Sequence, residues 1–363
     1  MRNQKLDILR CVAVLLVMLN HSGPLSDGII PVFNQIGWTG VDLFFVLSGF
    51  LISGLLFVEW KRDGRIRVGR FLIRRGFKIY PSFYVYLLLA GIAAHLFARH
   101  LETTVVRYLH EIFFLQNYVV GIWAHTWSLA VEEHFYLLLP IFLLVLGIHR
   151  IPRAFPIIAA ISMVSRWLFL FIPQKNAFLG YSYAATNSRM DALFFGVLLG
   201  YLHHFHGAWW EDFVVRWKLA IATGSAILLS LVFFWSRETT SFAIVGYTTT
   251  YLGFGGALVL CLYVWKNVPR VFGVLAFLGM YSYSIYLWHA PVAFWTSAVL
   301  VRVFHVLLTP WEMFPVYFLL TFALGVLMAR IVEFPMLGLR EALFPSQVSD
   351  ASLAADPKLP VVV

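Results

Sequence analysis

An arginine and a histidine lie at opposite ends of the first apolar run of the sequence. Arg10 precedes residues 11–19 and His21 closely follows them. In a helix, eleven steps of ~100° come to roughly 1100°, about 20° past three full turns, so both side chains share one side, ~16 Å apart. A guanidinium suits phosphate oxygens, and a neutral imidazole suits proton uptake from a hydroxyl. The spacing therefore permits an anionic carrier at one end and proton transfer at the other.

Further ionisable side chains lie near the outer ends of the predicted membrane helices. His21, Asp42, Glu132, Arg189 and Asp191 fall at similar depth in the topology derived below. Ionisable groups within membrane spans are costly and usually face the protein interior or a cavity. Several such groups at one depth, on four helices, predict a polar cavity between those helices.

Each of these residues also has a simpler explanation. Asp42 could be an interfacial residue, and Arg189 could pair with a nearby acid to neutralise its charge. Glu132 or Glu133 could favour the positive end of a helix, and only one is expected to face inward because they point about 100° apart. His289 precedes a proline and could satisfy backbone groups that the proline frees.

Residues 61–78 form a basic segment with eight Lys or Arg and one acid. The simpler explanation is a topology signal that also attracts anionic lipid headgroups. The alternative is a phosphate clamp, because a carrier such as coenzyme A needs several converging cations. Arg10, at the inner end of the first helix, is expected to lie close enough to join this clamp.

The elements that must position these residues are membrane helices. The chain has 363 residues, of which 61% are hydrophobic and 12% charged, against about a quarter charged in soluble domains. We predict an all-α integral membrane protein with about ten spans. The first run is short and the ninth could be split. The runs are residues 8–23, 38–59, 78–98, 127–148, 154–173, 187–205, 218–235, 247–265, 275–302 and 314–334.

The distribution of Lys and Arg fixes the predicted orientation. With the N-terminus inside, the cytoplasmic segments hold 19 of them and the outer segments 5, so we expect both termini to be cytoplasmic. This topology explains the net charge of +9 without a nucleic-acid partner. Cys11 and Cys261 indicate neither a disulfide nor a metal site. We predict one polytopic domain over residues 1–345 and a disordered tail over residues 346–363.

Six segments, in order along nearly the whole chain, resemble one known family. The chain looks like an integral-membrane acyltransferase of the acyltransferase-3 family, which includes bacterial O-acetyltransferases of surface and secreted sugars. Lys78 stands where that family usually has an arginine. The segments are LDILRCVAVLLVMLNH, GVDLFFVLSGFLIS, RRGFKIYP, TWSLAVEEHFY, RMDALFFGVLLG and SYSIYLWHAPV.

The resemblance implies transfer of an acyl group, most often acetyl, from acyl-CoA to a carbohydrate hydroxyl, in the plasma (inner) membrane. Acyl-CoA would be a substrate, with no permanently bound cofactor and no metal. His21 would be the general base, and Glu132 or Asp42 would orient it or stabilise its positive charge. A covalent acyl-His21 intermediate is an open alternative. The expected carrier-binding residues are Arg10, Arg74, Arg75 and Lys78.

The remaining candidates and the rival function are less specific. We expect Arg189, Asp191, His289 and Trp127 to bind substrate or to be structural. The rival hypothesis is a proton-coupled exporter of a sugar or lipid-linked intermediate, because buried ionisable groups also form proton relays. Transporters often contain internal repeats, and the signatures of the first four runs do not recur in the last six.

Overall fold

The structure, a computed structural model, describes residues 3–22, 31–97, 104–172 and 180–345. These residues form helices and no strand. The predicted tail, residues 346–363, lies outside the described residues. The α-helices of eight or more residues are α1 (Gln4–Asn20), α2 (Gly40–Asp63), α3 (Val68–Phe97), α4 (Val105–Ile112), α5 (Trp127–Leu146), α6 (Ile151–Phe169), α7 (Thr186–Phe205), α8 (Gly207–Arg216), α9 (Lys218–Phe234), α10 (Tyr247–Tyr263), α11 (Gly273–Met280), α12 (Ser282–Phe304), α13 (Pro310–Met328) and α14 (Phe334–Leu343).

Each of the ten predicted apolar runs falls on a helix, so the all-α prediction is confirmed. By length and composition, six helical segments of the described residues can cross a membrane, or seven if α8 and α9, bent by 75°, form one span. The ninth run is split at Tyr281 into α11 and α12. Several apolar helices make this a multi-pass membrane protein, whereas ten spans and cytoplasmic termini stay predictions.

Helix α2 is the central helix, and it packs closely on α7 and α1. A Cβ added to Gly49 would lie 1.9 Å from the Leu193 carbonyl oxygen, and one added to Gly196 would lie 2.2 Å from the Val46 oxygen. Only glycine allows backbones this close, as is common where membrane helices cross. This crossing fixes α2 between α1, which carries His21, and α7, which carries Arg189.

A π-helical turn, Ala329–Glu333, joins α13 to α14. Such turns take up one extra residue within a helix and are frequent at functional sites. Glu333 at its end is buried, and Phe334 and Leu337 of α14 line the basic pocket described below. The turn therefore brings the end of the described chain to the site.

Candidate active site

One pocket brings together three of the four predicted carrier-binding residues. Arg10 of α1 and both Arg75 and Lys78 of α3 line one pocket. Residues 75 and 78 are three apart and share a face of α3, whereas Arg74 points about 100° away. Arg74 instead pairs with Glu341 of α14 at 2.7 Å. The pocket has the converging cations that an anionic ligand requires, with Arg74 beside it.

The cations of this pocket differ in their partners. Lys78 forms an ion pair with the buried Glu333, whose other oxygen accepts a 2.7 Å hydrogen bond from Ser284. The Arg75 guanidinium lies over the Tyr136 ring, 5.9 Å from its centroid. Because Lys78 is neutralised by a buried carboxylate, Arg75 is the better candidate for direct contact with phosphate.

Glu132 lies beside these basic residues and lines the same pocket. It accepts a hydrogen bond from Tyr136, whose hydroxyl is 2.9 Å from Ser48 Oγ. Ser48 is six residues beyond Asp42 on α2, which places it ~9 Å further along that helix. Glu132 therefore lies near the level of Ser48 rather than that of Asp42. Glu133, in contrast, accepts from Tyr80 of α3. The structure thus brings Glu132 together with the carrier-binding candidates rather than with Asp42.

Three histidines form a cluster near the C-terminal end of α1. The ring centroids of His21 and His289 are 4.9 Å apart, as are those of His125 and His289. His21 Nδ1 lies 2.9 Å from the Val17 carbonyl oxygen. A carbonyl oxygen only accepts, so Nδ1 carries the proton and Nε2 keeps the lone pair. This is the tautomer that can take a proton from a hydroxyl.

Tyr286 of α12 lies between the pocket and the histidine cluster. It lines the pocket, and its ring centroid is 5.4 Å from that of His289 and 5.8 Å from that of His125. Its hydroxyl donates to the His125 carbonyl oxygen at 2.7 Å and accepts from Ser128 at 2.5 Å. The basic pocket and His21 are therefore connected through two ring contacts, from Tyr286 to His289 and from His289 to His21.

Asp42, Arg189 and Asp191 form a separate buried charge network. Arg189 pairs with Asp42, and Arg166 of α6 lies 3.0 Å from Asp191. The Arg189 guanidinium also lies 4.3 Å from the centroid of the Tyr247 ring. The ring centroid of Trp127, the remaining candidate, lies 5.8 Å from the same guanidinium. These residues join α2, α5, α6, α7 and α10, and a structural role explains them without a ligand.

Sequence reasoning did not single out His125, Ser128 or Tyr286. His125 directly precedes the quoted TWSLAVEEHFY segment, where a histidine at the start of an apolar helix is easily read as a loop residue. Tyr286 and His289 are three apart on a helix, a spacing that brings side chains together. That spacing was the available signal for Tyr286. Among the residues that the structure describes, no group of His, Cys, Asp or Glu is arranged to hold a metal ion.

Glu111, outside the membrane-spanning helices, organises the segment that carries His125. One carboxylate oxygen accepts from the backbone N–H of Ile122 and of Trp123, each at 3.0 Å, and the other accepts from Thr126 Oγ1 at 2.8 Å. Burial raises the pKa of this carboxyl to about 7, although the three hydrogen bonds act in the opposite direction. Glu111 thus holds the backbone before His125 and the Thr126 side chain after it.

Replacing Glu111 by alanine is expected to destabilise the protein by roughly 2–4 kcal/mol, because three buried donors lose their acceptor. Glu111→Gln keeps an acceptor oxygen and is expected to retain most of the stability. Thermal unfolding of the purified variants in detergent measures both effects. An unfolding temperature of Glu111→Ala equal to that of the wild type would contradict this role.

The same carboxyl predicts a pH dependence of the unfolding free energy. Its folded pKa of about 7 lies above the ordinary value of 4.5, so the folded state holds the proton more tightly than the unfolded state. The contribution of Glu111 to stability is therefore largest below pH 4.5 and is lost as pH rises through 7. Glu111→Gln should remove this part of the slope in unfolding experiments across that range.

The fold and the site define an all-α, multi-pass membrane protein with a basic pocket beside a cluster of three histidines. Residues 3–330 match the family model described as "Acyltransferase domain". The chain therefore belongs to the acyltransferase-3 family.

Named relatives agree with this assignment. The chain is 31% identical over 324 residues to a Staphylococcus aureus (strain COL) protein provisionally named an O-acetyltransferase, covering 79% of this chain and 50% of that protein. It is 26% identical over 329 residues to the peptidoglycan O-acetyltransferase OatA of Listeria monocytogenes, covering 81% and 50%. The chain spans about half the length of the curated relatives it matches. No solved structure matches it significantly.

Proposed function

We propose that this protein transfers an acyl group, acetyl as the first expectation, from cytosolic acyl-CoA to a carbohydrate hydroxyl at the outer face of the plasma membrane. Its relatives include a peptidoglycan O-acetyltransferase, which supports a glycan of the cell envelope as acceptor. The excess of Lys and Arg at the Arg10 side supports a cytosolic donor.

The observation that carries the proposal is the series of side-chain contacts from the basic pocket to His21. Arg10 and Arg75 lie in the pocket, Tyr286 lines it, and His289 connects the Tyr286 ring to the His21 ring. A pantetheine arm is on the order of 15–20 Å long, comparable with the ~16 Å from Arg10 to His21 given by helical rise. Phosphates held at Arg75 would therefore leave the thioester near Tyr286.

His21 and the basic pocket, at the two ends of this series of contacts, have different roles in the proposed reaction. His21 Nε2 takes the proton of the acceptor hydroxyl as its oxygen attacks the thioester carbonyl. The C–S bond breaks, the O-acyl bond forms, and the proton passes from His21 to the CoA thiolate. Glu132 lies in the donor pocket, so we assign it to positioning the donor arm together with Tyr136. Tyr286 must change rotamer to let the thioester meet His21.

Arg75 and Arg74 offer a matched test of the donor site. Arg75→Gln is expected to raise the KM for acetyl-CoA roughly tenfold or more, since it removes a charge-assisted contact to phosphate. Arg74→Gln should leave that KM close to wild type, because Arg74 pairs with Glu341 outside the pocket. Steady-state kinetics on both variants check the difference. Equal effects of the two substitutions would contradict the assignment of Arg75.

The function itself is tested with purified protein in nanodiscs and acetyl-labelled acetyl-CoA. Release of CoA and transfer of label are followed with and without a crude extract of envelope polysaccharides. Transfer that depends on the extract supports a carbohydrate acyltransferase. If folded protein neither binds nor consumes any acyl-CoA, the basic segment is only a topology signal and the proton-coupled exporter becomes the better hypothesis.

A further inference from the structure

The basic pocket is apolar on the side where α2 begins. Ser48 of α2 marks its charged side, because Tyr136 hydrogen-bonds to both Ser48 and Glu132. The Arg75 guanidinium lies over the same tyrosine ring. From Ser48 toward the start of α2, the helix contributes only apolar side chains to the pocket, namely Leu47, Phe45, Phe44 and Val41. A donor arm held by the cations would therefore extend its far end among apolar groups.

Phe44 of α2 and Tyr286 of α12 form an aromatic pair in the wall of this apolar side. Both residues line the pocket, and their ring centroids are 5.9 Å apart in an edge-to-face arrangement. Aromatic rings attract each other in this geometry. Among the residues that the structure describes, no histidine lines the pocket, and the Tyr286 ring contacts His289. The pair therefore lies between the pocket and the histidine cluster.

The two members of the pair are held in different ways. The Tyr286 hydroxyl donates to the His125 carbonyl oxygen and accepts from Ser128. Phe44 is half-buried and has no polar side-chain atom, so packing alone sets its position. A change at Tyr286 would remove two hydrogen bonds, whereas a change at Phe44 alters only the size of the wall.

The residues of α2 that line the pocket extend over the length of a donor arm. They run from Val41 to Ile52, which corresponds to ~16 Å of helix. A pantetheine arm of about 15–20 Å would occupy this whole length, as helical rise gives it. Little length remains for the acyl group, and carbons beyond the thioester carbonyl would meet the rings of Phe44 and Tyr286.

We propose that Phe44, packed against Tyr286, determines the length of the acyl group and restricts the donor to short-chain acyl-CoA such as acetyl-CoA. This inference rests on the proposed function. The phosphates and the pantetheine arm are the same in every acyl-CoA, so the cations cannot distinguish one acyl group from another. Each additional CH₂ would instead have to enter space that the Phe44 ring fills. One methylene group in an apolar pocket changes specificity by roughly 10–200-fold.

The test compares acetyl-CoA with butyryl-CoA, whose acyl group is longer by two CH₂ groups. For the wild type, we expect kcat/KM for butyryl-CoA to be at least tenfold below that for acetyl-CoA, and Phe44→Ala should bring the two values close together. Phe334→Ala is the matched control, because Phe334 lines the same pocket but directly follows Glu333, the partner of Lys78. It should leave the ratio of the two kcat/KM values as in the wild type.

A ratio of two kcat/KM values does not change when a variant merely lowers the amount of active protein. If Phe44→Ala does not fold, Phe44→Leu decides, because it keeps an apolar side chain and should shift the ratio in the same direction by a smaller factor. A wild-type ratio in the folded Phe44 variant would overturn the proposal. So would a wild type that uses butyryl-CoA as efficiently as acetyl-CoA.

Equilibrium binding of both acyl-CoA molecules without an acceptor separates this inference from the proposed function. If the wild type transfers no acyl group but prefers acetyl-CoA to butyryl-CoA in binding, and Phe44→Ala removes that preference, the proposed function fails and the role of Phe44 stands. If the wild type is active, the kinetic ratio decides, and an unchanged ratio in the variant overturns only the role of Phe44. A wild type that binds no acyl-CoA overturns both.

Discussion

His21→Ala is expected to lower the rate of acetyl transfer by roughly 10²–10⁴-fold, the range for loss of a general base. The expected reason is geometric. His21 holds its Nδ1 proton against Val17 and leaves Nε2 free to act as the proposed base, with His289 packed against its ring. Alanine removes the base and leaves the donor pocket intact, so the affinity for acetyl-CoA should stay close to wild type.

His206→Ala is the control for this experiment, because His206 is exposed beyond the far end of α7. Its transfer rate should equal that of the wild type. Folded His21→Ala protein with normal transfer would refute the assignment. A further experiment distinguishes direct transfer from transfer through a covalent intermediate. Wild-type protein is incubated with labelled acetyl-CoA without acceptor and quenched with acid. Protein-bound label that depends on His21 would indicate a covalent acyl-histidine.

Arg189→Gln is expected to destabilise the folded protein by about 3–5 kcal/mol, the range for removing one partner of a buried ion pair. Arg189 is 1% exposed and Asp42 is fully buried. The substitution therefore leaves the Asp42 carboxylate without its neutralising charge in an apolar interior. The expected readout is a large loss of monodisperse protein and a lower unfolding temperature in detergent.

A double variant separates the charge effect from the packing effect. Adding Asp42→Asn to Arg189→Gln removes the uncompensated charge, so part of the lost stability should return. Arg62→Gln is the control, since the exposed Arg62 pairs with Asp63 and surface pairs contribute little. An Arg189→Gln protein as stable as Arg62→Gln would contradict a structural role and favour direct contact with substrate.

The sequence predicted the helices well because membrane helices are long and apolar, and it flagged the buried ionisable residues because such residues are costly in a bilayer. It did not predict which of them meet. Helical periodicity gives the face on which Asp42 or Glu132 lies, but the partner depends on how helices cross. The close crossing at Gly49 and Gly196 sets that geometry for α2 and α7.

Depth was the second quantity that the sequence could not supply. Glu132 and Asp42 both follow the start of an apolar run, which predicted a common level for them. The start of a run is not a fixed membrane depth, because α5 begins at Trp127 after a packed segment that Glu111 organises. Glu132 contacts Tyr136, and Tyr136 contacts Ser48 of α2. Glu132 therefore lies at the level of Ser48, beyond that of Asp42.

The π-helical turn before α14 sets the rotational phase of the end of the described chain. One residue more or less in a helix rotates everything beyond it by ~100°. Glu333 faces Lys78 while Phe334 and Leu337 line the basic pocket. Both contacts require the present rotation of α14. The π-helical turn therefore fixes the rotational orientation of α14. A homologue with a regular helix here would need different residues to line the same side of the pocket.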